Sequence, residues 1–178
     1  MENKNLKNME TKNFNIMENN AYKMSDAEMY PDVDPNERLT PHFTVREMLY
    51  SWTCEREGII NRVAEPEVII PRLRTLCQRV LEPLRRQFGP ILINSGYRSE
   101  CLNYVVGGVT YSQHCQGEAA DINTPDAETC NRYYNFIKDN LEFDQLLVER
   151  SKKTGHFWVH VSYTERRANR MMTNPHYY

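Results

Sequence analysis

The chain lacks the features that would place it in several broad classes. It has no run near the ~20 consecutive apolar residues that a membrane-spanning helix needs. Its opening stretch, MENKNLKNMETKNFNIMENN, contains no apolar core, so no secretory signal is expected. Cysteines number five, at 54, 77, 101, 115 and 130, an odd and scattered set without a CxxC pair. That argues against a disulfide framework and a Cys-rich zinc knuckle, and it suits a reducing cytoplasm. Excess positive charge is missing too: 22 Lys and Arg stand against 24 Asp and Glu, for a formal charge of -2. Neither nucleic acid nor a membrane surface is an expected partner. The short arginine clusters in PLRRQF and ERRANR read as solvated helix faces.

What is present suits one domain. The chain has 178 residues and is 40% hydrophobic, enough for a real core. Residues 1–38 are rich in Asn, Lys, Glu and Met and end in the linker-like YPDVDPNE. They are expected to form a disordered or loosely attached tail and linker. The folded domain is expected over 39–168, with a C-terminal tail over 169–178, and the chain is expected to act as a monomer. Thr44 and Glu47 have capping-box spacing for a short helix. Leu73, Leu76, Cys77, Val80, Leu81, Leu84 and Phe88 form one apolar stripe of a longer helix, which Pro83 should kink. ILIN reads as a short strand, and SECLNYVV as a helix stopped by Gly107 and Gly108. EAADIN reads as a strand. Thr124 and Pro125 are then placed as N-cap and first residue of a helix with core stripe Cys130, Tyr134, Ile137 and Leu141. FDQLLVE and FWVHVSY read as an antiparallel hairpin. Together these predict an α+β fold, a small antiparallel sheet flanked by helices.

Side-chain alternation along strands singles out a few polar residues. In HFWVHVSY, Phe157, Val159, Val161 and Tyr163 share a core-like face, while His156, Trp158, His160 and Ser162 share the other. In EAADI, Asp121 shares a face with the small Ala119, and Glu118 lies opposite. His114 precedes Asp121 by seven residues, in SQHCQGEAAD. Were the His160 and Asp121 faces to line one cleft, His114 would complete a His2Asp set. Three protein ligands with an open fourth position is the arrangement of catalytic zinc. Two neutral imidazoles and one carboxylate leave the ion net positive, which lowers the pKa of its water to roughly 7. On spacing alone, packed or hydrogen-bonded histidines fit as well. Cys115 adjoins His114, but neighbours in an extended segment point apart, and it reads as an inert thiol rather than a nucleophile.

The pattern S-x-H-x-x-G-x-A-x-D, with SGYRS upstream and WVHVSY downstream, resembles the zinc peptidases of the D-alanyl-D-alanine carboxypeptidase family. That family includes phage endolysins and D-Ala-D-Ala dipeptidases and shares its fold with the hedgehog signalling domain. The likeness is closest to a small single-domain branch and runs from about Phe43 to Tyr163. It implies one zinc ion held by His114, Asp121 and His160. It also implies a substrate carboxylate or carbonyl held by Arg98 with help from Ser112, a role that suits a planar guanidinium. Several members carry an acid three residues before the last ligand as general base; here that position is Phe157. Glu149, closing the neighbouring strand, is the nearest substitute base. His156 is a candidate for oxyanion stabilisation or for a weaker base, and Trp158 for a wall of the substrate site.

The resulting expectation is a zinc metallopeptidase acting on peptidoglycan stem peptides, as a D,D-carboxypeptidase or an endolysin-type endopeptidase. Lacking a signal, such an enzyme would wait in the cytoplasm for a phage-type release to the cell wall. The alternative is a catalytically weak or inactive zinc-binding module of the same fold that binds cell-wall peptide. A non-haem iron oxygenase also uses two histidines and one carboxylate, but with the first two ligands commonly one residue apart.

Overall fold

A computed structural model describes residues 24–166 and 172–173. Its helices begin with α1 (Asp26–Met29), α2 (Val45–Leu49) and α3 (Trp52–Glu57). Thr44 caps α2 as expected: its hydroxyl accepts from the Glu47 N–H, and the Glu47 carboxylate accepts from the Thr44 N–H at 2.8 Å. Residues 1–23 of the expected tail lie outside the described residues. Residues 24–38 pack on the domain. Tyr30 is buried, Arg46 forks onto both oxygens of Asp26, and the Val45 and Arg46 N–H groups donate to the Glu37 and Pro35 carbonyls.

The long helix is the main apolar column. It runs as α4 (Pro66–Leu76), a π-helical turn (Cys77–Leu81) and α5 (Glu82–Phe88). Pro83 has no N–H to offer the carbonyl four residues back, and its ring crowds that turn. A widened turn just before it relieves the clash without breaking the helix. Leu73, Leu76, Leu81 and Leu84 are fully buried along this column. Each contributes about 1.5–3 kcal/mol relative to exposure.

The sheet order is β1 (Ile93–Ser95), β2 (Ala119–Asn123), β4 (Phe157–Ser162), β3 (Gln145–Arg150), β5 (Met172–Thr173). The first four pair antiparallel; β5, within the expected C-terminal tail, adds a short parallel edge to β3. Register gives each face its chemistry. Ala120, Val161 and Leu146 align, as do Ile122, Val159 and Val148, and all six are buried in the core. The intervening row, Asp121–His160–Leu147, therefore faces the other way. Between β1 and β2 the chain forms α6 (Glu100–Val105) and a 3-10 turn (Gln113–Gln116). Helix α7 (Ala127–Asn140) packs on β3 and β4. Its N-cap is Asp126, whose carboxylate accepts from the Thr129 N–H at 2.7 Å. The expected cap, Thr124, is buried instead and donates its hydroxyl to the Phe157 carbonyl at 2.7 Å, joining the end of β2 to the start of β4.

Candidate metal centre

His114 sits in the 3-10 turn, which starts where the Ser112 hydroxyl accepts from the His114 N–H at 3.3 Å. The turn ends at Gly117, with φ +70, a left-handed conformation that favours glycine. An added Cβ there would also lie 3.1 Å from the Ile69 carbonyl oxygen. This tight return sends the chain into β2 and puts Asp121 beside His114.

The ring atoms are held from behind. His114 Nδ1 lies 2.6 Å from the Gly96 carbonyl oxygen. A carbonyl only accepts, so Nδ1 carries the proton and Nε2 presents its lone pair forward. Gly96 itself tolerates no side chain: a Cβ would lie 2.4 Å from the Met48 carbonyl oxygen.

Three atoms converge in front. His114 Nε2 is 3.3 Å from His160 Nδ1 and 3.3 Å from Asp121 Oδ1, and His160 Nδ1 is 2.9 Å from Asp121 Oδ1. A tetrahedral ion with arms of 2.0–2.1 Å separates its ligand atoms by about 3.3–3.4 Å. Two edges match that span and the third is slightly short. Imidazole and carboxylate are the donor types zinc accepts, so the residues present fit the ion. All three side chains are buried, and among the described residues no fourth His, Cys, Asp or Glu joins the group. Burial alone would raise the Asp121 carboxyl. Positive charge and hydrogen-bond donation from the facing nitrogens of His114 and His160, when these carry a proton, outweigh it and hold the group well below the usual carboxylate range; a bound cation would supply the same charge in their place. Asp121 is thus ready as an anion.

The trio forms the floor of a cleft of about 690 Å³, also lined by Arg98, Ser112, Glu149 and Trp158. Arg98 is no stray surface pair. Its Nε donates to Ser95 Oγ at 2.8 Å, and its Nη2 donates to Asp121 Oδ2. Glu149 pairs with Trp158 across β3 and β4, and the Trp158 indole N–H donates to Glu149 Oε2 at 2.8 Å. That contact orients the carboxylate. The pair stands two residues along β4 from His160, roughly 7 Å.

Three other residues fall elsewhere. His156 is exposed, does not line the cleft, and bonds Asn123 Oδ1 through Nε2 at 3.0 Å. The alternation that grouped it with His160 fails because β4 begins only at Phe157, after the turn at Gly155. Phe157 has its ring 5.2 Å beneath the Arg150 guanidinium and packs on the core, so no acid function sits there. Burial pushes the Cys115 thiol above its usual value, the opposite of an activated nucleophile. Gly96, Ser95 and Gln113 were not singled out from the sequence, though all three support the site. Gln113 donates to Asp144 at 2.9 Å and accepts from the Ser162 hydroxyl at 2.8 Å, both beneath the turn that carries His114. The one sequence signal for the first two was their place in SGYRS beside Arg98.

Two imidazoles and a carboxylate meeting in an open cleft, on the polar face of a small antiparallel sheet, form a candidate metal centre of the kind metal-dependent hydrolases use. Residues 41–162 match the family described as Peptidase M15, and the chain belongs to that family. It is accordingly a peptidase, of a family whose members depend on zinc. No curated protein matches the chain. Among the described residues no helix is long and apolar enough to cross a membrane.

Proposed function

We propose that the protein is a zinc peptidase that hydrolyses peptidoglycan stem peptides. The observation that carries this is the convergence of His114 Nε2, Asp121 Oδ1 and His160 Nδ1 within a cleft that also holds Arg98 and Glu149. His114, Asp121 and His160 would hold one zinc ion. When bound, zinc supplies Lewis acidity, bringing a water's pKa to roughly 7 and polarising a carbonyl.

The remaining work belongs to the chain. Glu149 takes the proton from the attacking water at its carboxylate and returns it to the leaving amine. Its Oε2 is steadied by Trp158, and the residue lines the same cleft as the trio. Arg98 keeps Nη1 for a substrate carboxylate or carbonyl, with its other nitrogens tied to Ser95 and Asp121 so that the fork does not swing. Ser112 sits at the cleft wall and adds a hydroxyl beside it. Trp158 forms a flat wall. The scissile bond is either the terminal D-Ala–D-Ala bond or an internal bond of the stem.

Incubation with purified peptidoglycan, with and without chelator, followed by mass analysis of the released fragments, tests the reading and distinguishes the two bonds. Glu149→Gln is expected to keep its zinc and lose about 10²- to 10⁴-fold in turnover, the usual scale of a general base. The absence of an acid at Phe157 favours a second reading, a zinc-binding module that holds cell-wall peptide without cutting it. That reading requires a wild-type protein that binds peptide and releases no fragment.

A further inference from the structure

The stretch CLNYVVGGVTYSQ, residues 101–113, has no charged residue in a chain that is 26% charged. It joins α6 to the turn that carries His114. Its backbone is tied down. Buried Asn103 donates its side-chain amide to the Val109 carbonyl at 2.9 Å, Gly108 N–H donates to the Asn103 carbonyl at 2.8 Å, and Ser112 N–H donates to the Val109 carbonyl at 3.1 Å. A side chain at Gly108 would displace the Asn103 amide, since a Cβ would lie 2.1 Å from Asn103 Oδ1. The side chains are not covered. Tyr104 is 85% exposed, Val109 73% and Tyr111 89%. Several exposed apolar side chains held by one hydrogen-bonded loop are the kind of surface that can receive a ligand.

This surface is continuous with the metal centre. Val106, Val109 and Tyr111, with the side-chain-free Gly107 and Gly108, line the same cleft as His114, Asp121 and His160. Charge is divided along that cleft. Its Arg, Asp and Glu residues are Arg98, Asp121 and Glu149, and the loop contributes none. The matching ligand is charged where it reacts and neutral, with an apolar face, where it meets the loop.

We propose that residues 106–111 form a carbohydrate subsite for the neutral N-acetylated sugar that carries the stem peptide. The inference rests on the peptidoglycan reading of the same cleft. A stem peptide is charged through its carboxylates, whereas the sugar to which it is attached is uncharged. The C–H face of a sugar ring stacks on an aromatic ring, and its hydroxyl and acetamido groups bond to tyrosine hydroxyls and loop carbonyls. Tyr111, at the mouth of the cleft, supplies the ring.

The test is calorimetric binding, alongside hydrolysis, of one stem peptide with and without its N-acetylated sugars. Wild type is expected to bind the sugar-bearing ligand about three- to tenfold tighter, the scale of one aromatic contact. Tyr111→Ala is expected to weaken the sugar-bearing ligand by that factor more than the free peptide, and Tyr111→Phe to restore the difference. Leu92→Ala, an exposed apolar change outside the cleft, is expected to alter neither. Equal affinity of wild type for both ligands overturns the subsite, as does an equal loss for both in Tyr111→Ala. Loop-dependent self-association without sugar preference also overturns it. A sugar preference without hydrolysis keeps the subsite and removes the peptidase reading; hydrolysis without preference does the reverse.

Discussion

At the scale of single residues, the site depends on atoms that carry no catalytic label. The Gly96 carbonyl decides which nitrogen of His114 holds the proton, and Gly96 reaches that position only because it has no Cβ to meet Met48. Gly96→Ala is therefore expected to destabilise the fold by about 1–3 kcal/mol, as forced overpacking does. It is also expected to weaken zinc binding by about 10- to 100-fold, the usual cost of disturbing a ligand's outer partner. Thermal denaturation and competition against a chromophoric chelator measure the two effects. A variant that bound zinc normally would show that the carbonyl does not govern the tautomer. The candidate trio follows from the motif resemblance in SQHCQGEAAD and WVHVSY; side-chain alternation adds only that Asp121 and His160 each lie on a polar strand face, and it says nothing of His114, which sits in a turn. His156 was misplaced because that rule stops where the strand stops, and nothing in HFWVHVSY marks its first paired residue.

At the scale of elements, most helices and strands were readable and their ends were not. The column from Pro66 to Phe88 carries its stripe through a π-turn that Pro83 imposes. The start of α7 shows why caps are hard to place. Thr124-Pro125 and Asp126 are all good N-terminal residues, and local chemistry ranks them closely. The Phe157 carbonyl, distant in sequence, claims the Thr124 hydroxyl and leaves Asp126 to cap. Asp126→Ala is expected to lower the melting temperature, whereas Asp126→Asn, which keeps an acceptor, retains most of it. Equal losses in both variants would mean that the Thr129 N–H is not the partner that matters.

At the scale of the whole molecule, two conditions are expected to move stability. Any ion held by the folded centre alone adds stability by mass action, about 2.7 kcal/mol at a free concentration a hundred times its dissociation constant. Chelator is expected to lower the melting temperature and stop hydrolysis, and added zinc to reverse both. The second condition is acid. Burial alone would raise the Glu82 carboxyl, but hydrogen bonds from Thr40 and His42 outweigh it and hold the group below its ordinary 4.5. A carboxyl lowered by folding adds stability above its unfolded pKa and loses it as pH falls through the folded value. Wild type is therefore expected to exceed Glu82→Gln in stability near about pH 6–7, with the gap closing below about pH 4.5. A gap that stayed constant on acidification would rule out this linkage.

The amino-acid sequence by itself determined the apolar periods, the turn glycines and the polar strand faces that carry Asp121 and His160, because these follow from local sterics and side-chain alternation. Only the tertiary structure decided which strands are neighbours. Hydrogen-bonded pairing of β2 and β3 on either side of β4 sets Asp121 and Glu149 along one cleft, and that pairing is chosen by burying Ile122, Val159 and Val148 together. No local segment contains that choice, since it arises from burial shared by residues far apart along the chain.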